Sequence, residues 1–253
     1  MGKLGVKVDY GNWVPKRFIY VFVALTLGCL FFSFFFWVML IPALLFLAIA
    51  VYFVYSRYLF SSKGANIQSR IWSMAISNLD WDGQGQALDI GCGNGALTVK
   101  LAQKFPLAKV IGIDNWGSKW EYTKKTCEEN AVVEGVSQRV SFQKASAVQL
   151  PFEDGFFDAA TSNFCFHEVS EAKDKREVIR EALRVIKKGG KFSFQDVFLF
   201  KQVYGDINQL VAQIKSWGIE EVEFVETKNA SFIPRILKLP FMVGNMAIIR
   251  GKK

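Results

Sequence analysis

From Phe18 to Tyr55 the chain runs through 38 consecutive residues without a charge, FIYVFVALTLGCLFFSFFFWVMLIPALLFLAIAVYFVY. One straight helix of that length would reach roughly 57 Å at 1.5 Å per residue. The hydrocarbon core of a bilayer is only about 30 Å thick. A core helix of a soluble protein needs neither such length nor an apolar surface on every side. Two shorter legs fit better, and the pattern predicts helices over about 18–36 and 40–57. The turn falls near Trp37 to Pro42, where Trp suits an interface and Pro interrupts a helix. Legs of about 18 residues are close to the minimum for crossing, so a re-entrant hairpin stays open beside a spanning one. A cleaved signal sequence fits less well. Its apolar region runs only about 7–15 residues, and the small residues of Ala48-Ile49-Ala50 lie too deep in the chain.

Charge orients this anchor. Lys16 and Arg17 directly precede the run, with Lys3 and Lys7 further out, and Arg57 and Lys63 follow it. Positive residues collect at the cytoplasmic ends of spans, and a hairpin keeps both flanks there. The expected organisation is a membrane anchor over 1–62 and a second domain over 63–253, with both termini and that domain on the cytoplasmic side of a lipid bilayer.

The remaining composition excludes several classes. With 51% of 253 residues hydrophobic the chain is not disordered. The formal charge of +8 comes from dispersed Lys and Arg, with only doublets such as Lys124-Lys125 and Lys187-Lys188. That pattern suits a face held against anionic lipid at least as well as nucleic acid, which is not an expected partner. The four cysteines form no CxxC pair and His167 is the sole histidine, so neither a metal site nor a disulfide framework is expected.

Beyond Gly85, short apolar strands alternate with helices. Strands are expected at Ala87–Ile90, Lys109–Ile113, Arg139–Gln143, Phe156–Thr161 and Lys191–Val197. Helices are expected at Ala96–Phe105, Ser118–Glu134 and Glu171–Ile186, with Lys187-Lys188-Gly189-Gly190 turning the chain. Strands separated by helices imply crossovers and a mostly parallel α/β sheet. The end of the chain departs from alternation: a helix at Ile207–Trp217 precedes strands at Glu221–Glu226 and Asn245–Arg250 with no clear helix between them, which suggests an antiparallel closing hairpin.

The strongest motif is Leu88-Asp89-Ile90-Gly91-Cys92-Gly93-Asn94-Gly95, between the first strand and first helix of this domain. Glycines there let a ligand approach the main chain closely. Nineteen residues past Gly95, Asp114 ends the second strand, where a carboxylate can accept from both ribose hydroxyls. This is the logic of nucleoside binding at the carboxyl ends of parallel strands. A dinucleotide fingerprint would read GxGxxG; the chain has GxGxG with Asp89 two residues before it. A carboxylate beside the loop repels pyrophosphate but suits a cationic amino-acid moiety. That favours S-adenosylmethionine over a nicotinamide dinucleotide.

On these residues the chain resembles the class I S-adenosylmethionine-dependent methyltransferases, across roughly 65–253. ALDIGCGNGALTVKLA looks like the family's first motif and VIGIDNW like its acidic ribose turn. VQLPFEDGFFDAATSNFCFHEV and EALRVIKKGGKFSFQDVF look like the stretches around its fourth and fifth strands. The nearest flavour contains quinone, sterol and other small-molecule methyltransferases. The resemblance implies a Rossmann-like sheet of order 3-2-1-4-5-7-6 with an antiparallel last strand, here behind a hydrophobic membrane hairpin. It implies that Asp89, Gly91, Cys92, Gly93 and Gly95 surround the methionine portion of the cofactor. Asp114 would hold the ribose, Asn115 and Trp116 would lie near the adenine, and Asn163 near the methyl group. Ser146 and Ala147 fall in the adenine segment, with Ser146 where many relatives carry an acid.

Methyl transfer from a sulfonium relies largely on alignment. An oxygen or carbon nucleophile gains from a base, and His167 is the histidine available, with Glu168 as an alternative base or orienting group. Ser162-Asn163-Phe164-Cys165 stands where methyltransferases of amino groups carry Asp/Asn-Pro-Pro-Tyr, which disfavours nucleobase or glutamine acceptors. The apolar insert SFIPRILKLPFMVG, within Thr227–Gly244, is expected at the membrane surface beside the substrate entrance. The reading is a membrane-anchored methyltransferase acting on a small, lipophilic acceptor. The alternatives are a noncatalytic membrane-bound sensor or scaffold that binds the same cofactor and, on weaker grounds, a nicotinamide-dependent reductase.

Overall fold

The computed structural model describes residues 7–117 and 121–253. It divides into two compact units. One is Asn12–Arg70; the other is Ile71–Lys253 together with residues 7–11.

The smaller unit is a helical hairpin. Helix α1 (Lys16–Ser33) ends without a basic last turn, a 3-10 turn spans Trp37–Met39, and α2 (Leu40–Phe60) returns. Pro42 lies in the first turn of α2, where no intrahelical N–H is required, so it starts that helix instead of breaking one. Phe18 and Phe22 of α1 meet Phe53 of α2 at centroid distances of 5.7 Å. Small residues lie along the seam: Thr26, Ala43 and Ala50 are buried, and the Thr26 hydroxyl donates to Phe22 O at 2.8 Å. The outer surface is apolar throughout, with Phe34 87% and Trp37 77% exposed. Both helices are long and apolar enough to cross a membrane. Their feet are fastened together: Asn12 Nδ2 donates to Arg57 O at 3.0 Å, and the Arg57 guanidinium donates to Val14 O at 2.5 Å.

After α3 (Ile67–Ser77) comes the α/β domain: β1 (Gln86–Ile90), α4 (Ala96–Lys104), β2 (Lys109–Asp114), α5 (Lys124–Val133), β3 (Val140–Lys144), β4 (Phe157–Asn163), α6 (Lys175–Arg184), β5 (Ile186–Asp196), α7 (Lys201–Tyr204), α8 (Ile207–Ser216), β6 (Glu221–Glu226) and β7 (Ala247–Lys252). The seven strands form one sheet of order β3-β2-β1-β4-β5-β7-β6. The first five pair in parallel, and β7 runs antiparallel between β5 and β6. This is the sheet order the resemblance implied. Strands β1 and β4 are buried almost throughout, as expected where helices cover both faces. Phe192, Phe194, Phe157, Phe166 and Phe198 are the largest fully buried side chains of the main core.

Some element bounds differ from the sequence reading. The expected helix start at Ser118 lies outside the described residues, and α5 begins only at Lys124, where Thr123 Oγ1 accepts from Thr126 N at 3.0 Å. Helix α6 likewise starts late, at the Asp174 cap. Lys187-Lys188-Gly189-Gly190 does not turn the chain but lies inside β5. The extra length is absorbed by a register shift in the β4–β5 pairing between Phe157 and Ala159.

Candidate active site

The glycine turn follows directly from β1. Gly91 N and Cys92 N both donate to Ile113 O of β2, at 2.8 and 2.9 Å. Gly91 takes φ +76, and a Cβ there would sit 2.4 Å from the Cys165 Cβ, so only glycine allows the loop after β4 to close on this turn. Gly93 and Gly95 also have positive φ, with Tyr122 packed over the first and Phe142 over the second.

Asp89 on β1 is 1% exposed; its Oδ2 accepts from Thr98 Oγ1 at 2.6 Å, and its Oδ1 has no partner among the described residues. Burial pushes its carboxyl up to about 7, against the opposing hydrogen bond from Thr98. At the end of neighbouring β4, Asn163 Oδ1 is also buried without a partner among those residues. Two orphaned acceptors at the carboxyl ends of adjacent strands fit a ligand that brings N–H donors, as the amino group of S-adenosylmethionine does.

Asp114 ends β2 and is engaged by backbone: Oδ2 accepts from Gly93 N at 2.9 Å and Oδ1 from Trp116 N at 2.8 Å. Burial raises its carboxyl, partly offset by these N–H groups. Each oxygen keeps a second lone pair for a further donor. Trp116, at φ +42, turns its indole back so that Nε1 donates to Gly93 O at 2.9 Å. The acidic turn and the glycine turn are thus locked to each other. Asn115 is exposed and caps its own turn through Gly117 N.

Cys92 is buried, and burial followed by the neighbouring Cys127 pushes its thiol well up. Burial does the same for Cys165; both thiols stay protonated and unreactive. Ala147 is packed into the main core. Ser146 Oγ donates to Glu171 Oε2 at 2.5 Å. A carboxylate from the loop before α6 therefore reaches the position whose acid is missing from the sequence.

His167 and Glu168 lie in a 3-10 turn over Phe166–Glu168, just past β4. Asp196, fully buried at the end of β5, holds His167 Nδ1 through Oδ1 at 2.5 Å. Its other oxygen accepts from Phe166 N at 2.9 Å. Burial works to lower the imidazole's proton affinity, but the Asp196 charge and hydrogen bond outweigh it and raise the His167 pKa above its usual value. With Nδ1–H held by Asp196, Nε2 is the basic nitrogen, 3.5 Å from Glu168 Oε1. The sequence reading missed Asp196 and Glu171. Both become visible only when β5 is set beside β4 and the α6 loop beside Ser146.

A seven-stranded sheet of this order, with a glycine turn after β1 and an acid ending β2, defines the nucleoside-binding fold of the class I methyltransferases. Residues 88–194 match the model of the methyltransferase domain. Over this stretch, from within β1 into β5, the α/β domain is similar to methyltransferase domains.

Among curated proteins, the ubiquinone/menaquinone biosynthesis C-methyltransferase of Citrifermentans bemidjiense is 30% identical over 147 residues, 54% of this chain and 58% of that protein. The 2-phytyl-1,4-naphtoquinone methyltransferase of Trichormus variabilis is 32% identical over 61% of this chain and 63% of its own length. The chain thus spans about three fifths of these relatives. Among solved structures, geranyl diphosphate C-methyltransferase of Streptomyces coelicolor superposes with a TM-score of 0.58 at 14% identity, covering 76% of this chain and 79% of that one. The 4+2 cyclase SpnF gives 0.55 at 22% identity over 73% and 81%. The fold is shared by a methyltransferase and a cyclase, so chemistry must be argued from the side chains.

Proposed function

We propose that this chain is a membrane-anchored S-adenosylmethionine-dependent methyltransferase that methylates a small lipophilic acceptor, with its domain on the cytoplasmic face. The observation that carries the reading is one edge of the sheet. There the glycine turn, the orphaned Asp89 and Asn163 oxygens, Asp114 and the Asp196–His167 pair all stand at the carboxyl ends of β1, β2, β4 and β5.

Bound S-adenosylmethionine supplies an electrophilic methyl group on a sulfonium. Asp89 Oδ1 would receive the ligand's amino group, beside the glycine turn of Gly91, Cys92, Gly93 and Gly95. Asp114 accepts from the ribose through its remaining lone pairs. Asn115, Trp116 and Ala147 line the adenine side, where Ser146 and Glu171 meet the exocyclic amine. Asn163 faces the reacting end. His167 Nε2 takes the acceptor's proton while Asp196 fixes the ring and stabilises the imidazolium; Glu168 adds negative charge near Nε2.

The relatives' names support a lipophilic acceptor, since one is a C-methyltransferase of ubiquinone/menaquinone biosynthesis and the other a methyltransferase of a phytylated naphthoquinone. The insert before β7 supports it too. Ile233, Leu237 and Val243 pack into the domain, while Ile236, Leu239 and Phe241 are exposed beside the basic residues Arg235 and Lys238. Part of the insert is therefore ordinary core, and its exposed residues form an apolar lip at the edge where β6 ends and β7 begins.

The test is incubation of the full chain in lipid nanodiscs with methyl-labelled S-adenosylmethionine and a membrane lipid extract. Label in an organic-phase product is expected; tight cofactor binding with no labelled product from any extract would favour the sensor. Two narrower outcomes follow. Glu171→Ala is expected to weaken S-adenosylhomocysteine binding about fivefold, the scale of one exposed charge-assisted hydrogen bond, as a titration would read. In a Cys29→Ser background, Phe35→Cys is expected to react with an impermeant maleimide only from the non-cytoplasmic face; labelling only from the cytoplasmic face would contradict a spanning hairpin.

A further inference from the structure

The segment ahead of the hairpin does not simply lead into it. Asp9 N donates to Asn130 Oδ1 at 2.9 Å, and Asp9 O accepts from Asn130 Nδ2 at 2.9 Å and from Asn94 Nδ2 at 3.2 Å. Asn130 Nδ2 also donates to Asn94 O at 2.9 Å. One side-chain amide, 2% exposed on α5, therefore grips the backbone of two segments 85 residues apart, and Asn94 is the residue between Gly93 and Gly95 of the glycine turn. Asn94, itself 4% exposed, accepts from Thr123 N through Oδ1 at 3.1 Å, which links the turn to the cap of α5.

The strap is shaped for this seat. Asp9 Oδ1 accepts from Gly11 N at 2.9 Å and turns the chain, while Gly11 takes φ +69. A Cβ on Gly11 would lie 2.9 Å from Tyr122 Cε1, and one on Gly93 would lie 3.3 Å from Tyr122 Cδ2. The Tyr122 ring is thus held between the strap and the glycine turn. Tyr10 packs edge-on against Trp72 at 5.7 Å, and its hydroxyl donates to Glu134 Oε1 at 3.3 Å.

We propose that Lys7–Gly11 is a working part of the cofactor site, and that Asn130 is the positioning residue fastening this strap to the glycine turn. Burying the amide of Asn130 is worthwhile only if every donor and acceptor is met, and Asp9 of the strap together with Asn94 O meets them. The proposal rests on the cofactor reading above and extends it. The strap also sets the geometry of the turn, so retention of the cofactor and seating of the strap are coupled. Coupling is reciprocal: cofactor binding must disfavour the open state of the strap by the same factor by which strap opening weakens the cofactor.

The experiment uses the full chain in nanodiscs, with S-adenosylhomocysteine as probe, titrated by calorimetry and followed by amide hydrogen exchange over residues 8–11. Asn130→Ala breaks the clamp from the domain side. Gly11→Val breaks it from an exposed turn, through its φ and the contact with Tyr122, and decides the matter if the first variant fails to fold. Each is expected to weaken binding about tenfold, and the double variant no more than twofold beyond the worse single, since both remove one coupled unit. In wild type the probe is expected to slow exchange at the strap, and in Gly11→Val to leave it unchanged. Wild type that binds while both single variants bind within twofold of it would overturn the proposal, as would fully additive losses. Wild type that binds no probe would instead overturn the cofactor reading.

Discussion

Asp89→Asn is expected to make the cofactor-free protein more stable at pH 8 and a markedly poorer binder of S-adenosylhomocysteine. Burial holds the Asp89 carboxyl near 7, against 3.8 for an ordinary aspartate. The native state thus binds this proton more tightly than the unfolded chain does. The contribution to stability is full below about 4 and is lost as pH rises through 7. The shift is about three units, or at most about 4 kcal/mol by pH 8. An asparagine removes that charge but leaves an amide donor where Oδ1 was orphaned, at a cost of about 1–3 kcal/mol. A net gain of about 1–3 kcal/mol is expected, together with loss of the steeper fall in stability between pH 4 and 7; denaturant midpoints across pH would record it. A cationic amino group beside Oδ1 relieves the same strain in the wild type, so the variant is expected to bind S-adenosylhomocysteine about 10- to 100-fold more weakly, the worth of one charged hydrogen bond. A variant that is neither stabilised nor impaired in binding would remove Asp89 from the site.

His167→Ala is expected to leave cofactor affinity within about twofold and to lower the turnover number about 10²–10⁴-fold, the usual contribution of a positioned base. The pH profile separates a base from a structural histidine. Because Asp196 raises the His167 pKa above its usual value, turnover is expected to climb with pH through a midpoint above about 6.5. Asp196→Asn removes the charge that holds the proton. The midpoint is then expected to move down while the rate falls, since the ring loses its orienting partner. The same raised pKa has a stability signature of opposite sense to activity: the contribution of the pair is full below about 6.5 and is lost as pH rises through the folded value. A rate unchanged in His167→Ala would leave alignment alone as the source of catalysis.

The sheet was legible because its signals are local. LDIGCGNG after an apolar run, and VIGID nineteen residues on, need nothing beyond their own neighbourhood to indicate a glycine turn and an acid at a strand end. The hairpin was legible for the same reason, through length and absence of charge. The His167–Asp196 pairing was not, because Asp196 in FSFQD looks like any polar residue closing a strand. Only the β4–β5 register, which pairs Asn163 with Gln195, brings it beside His167. Glu171 hid in a charged stretch read as helix, which α6 in fact enters only after the Asp174 cap. The least legible contact is between Asp9 and Asn130, 121 residues apart. It depends on backbone groups of the strap, which carry no signature in side-chain identity.

In the proposed function, one site both binds S-adenosylmethionine and passes its methyl group to a lipophilic acceptor. The most direct measurement pairs a binding titration with label transfer from methyl-labelled cofactor, in nanodiscs carrying lipid extract, for wild type, Asp89→Asn and His167→Ala. The account predicts binding and transfer in wild type, loss of both in Asp89→Asn near neutral pH, and retained binding with transfer slowed at least a hundredfold in His167→Ala. Wild type that binds the cofactor yet transfers no label to any organic-phase product, at a level indistinguishable from His167→Ala, would contradict it.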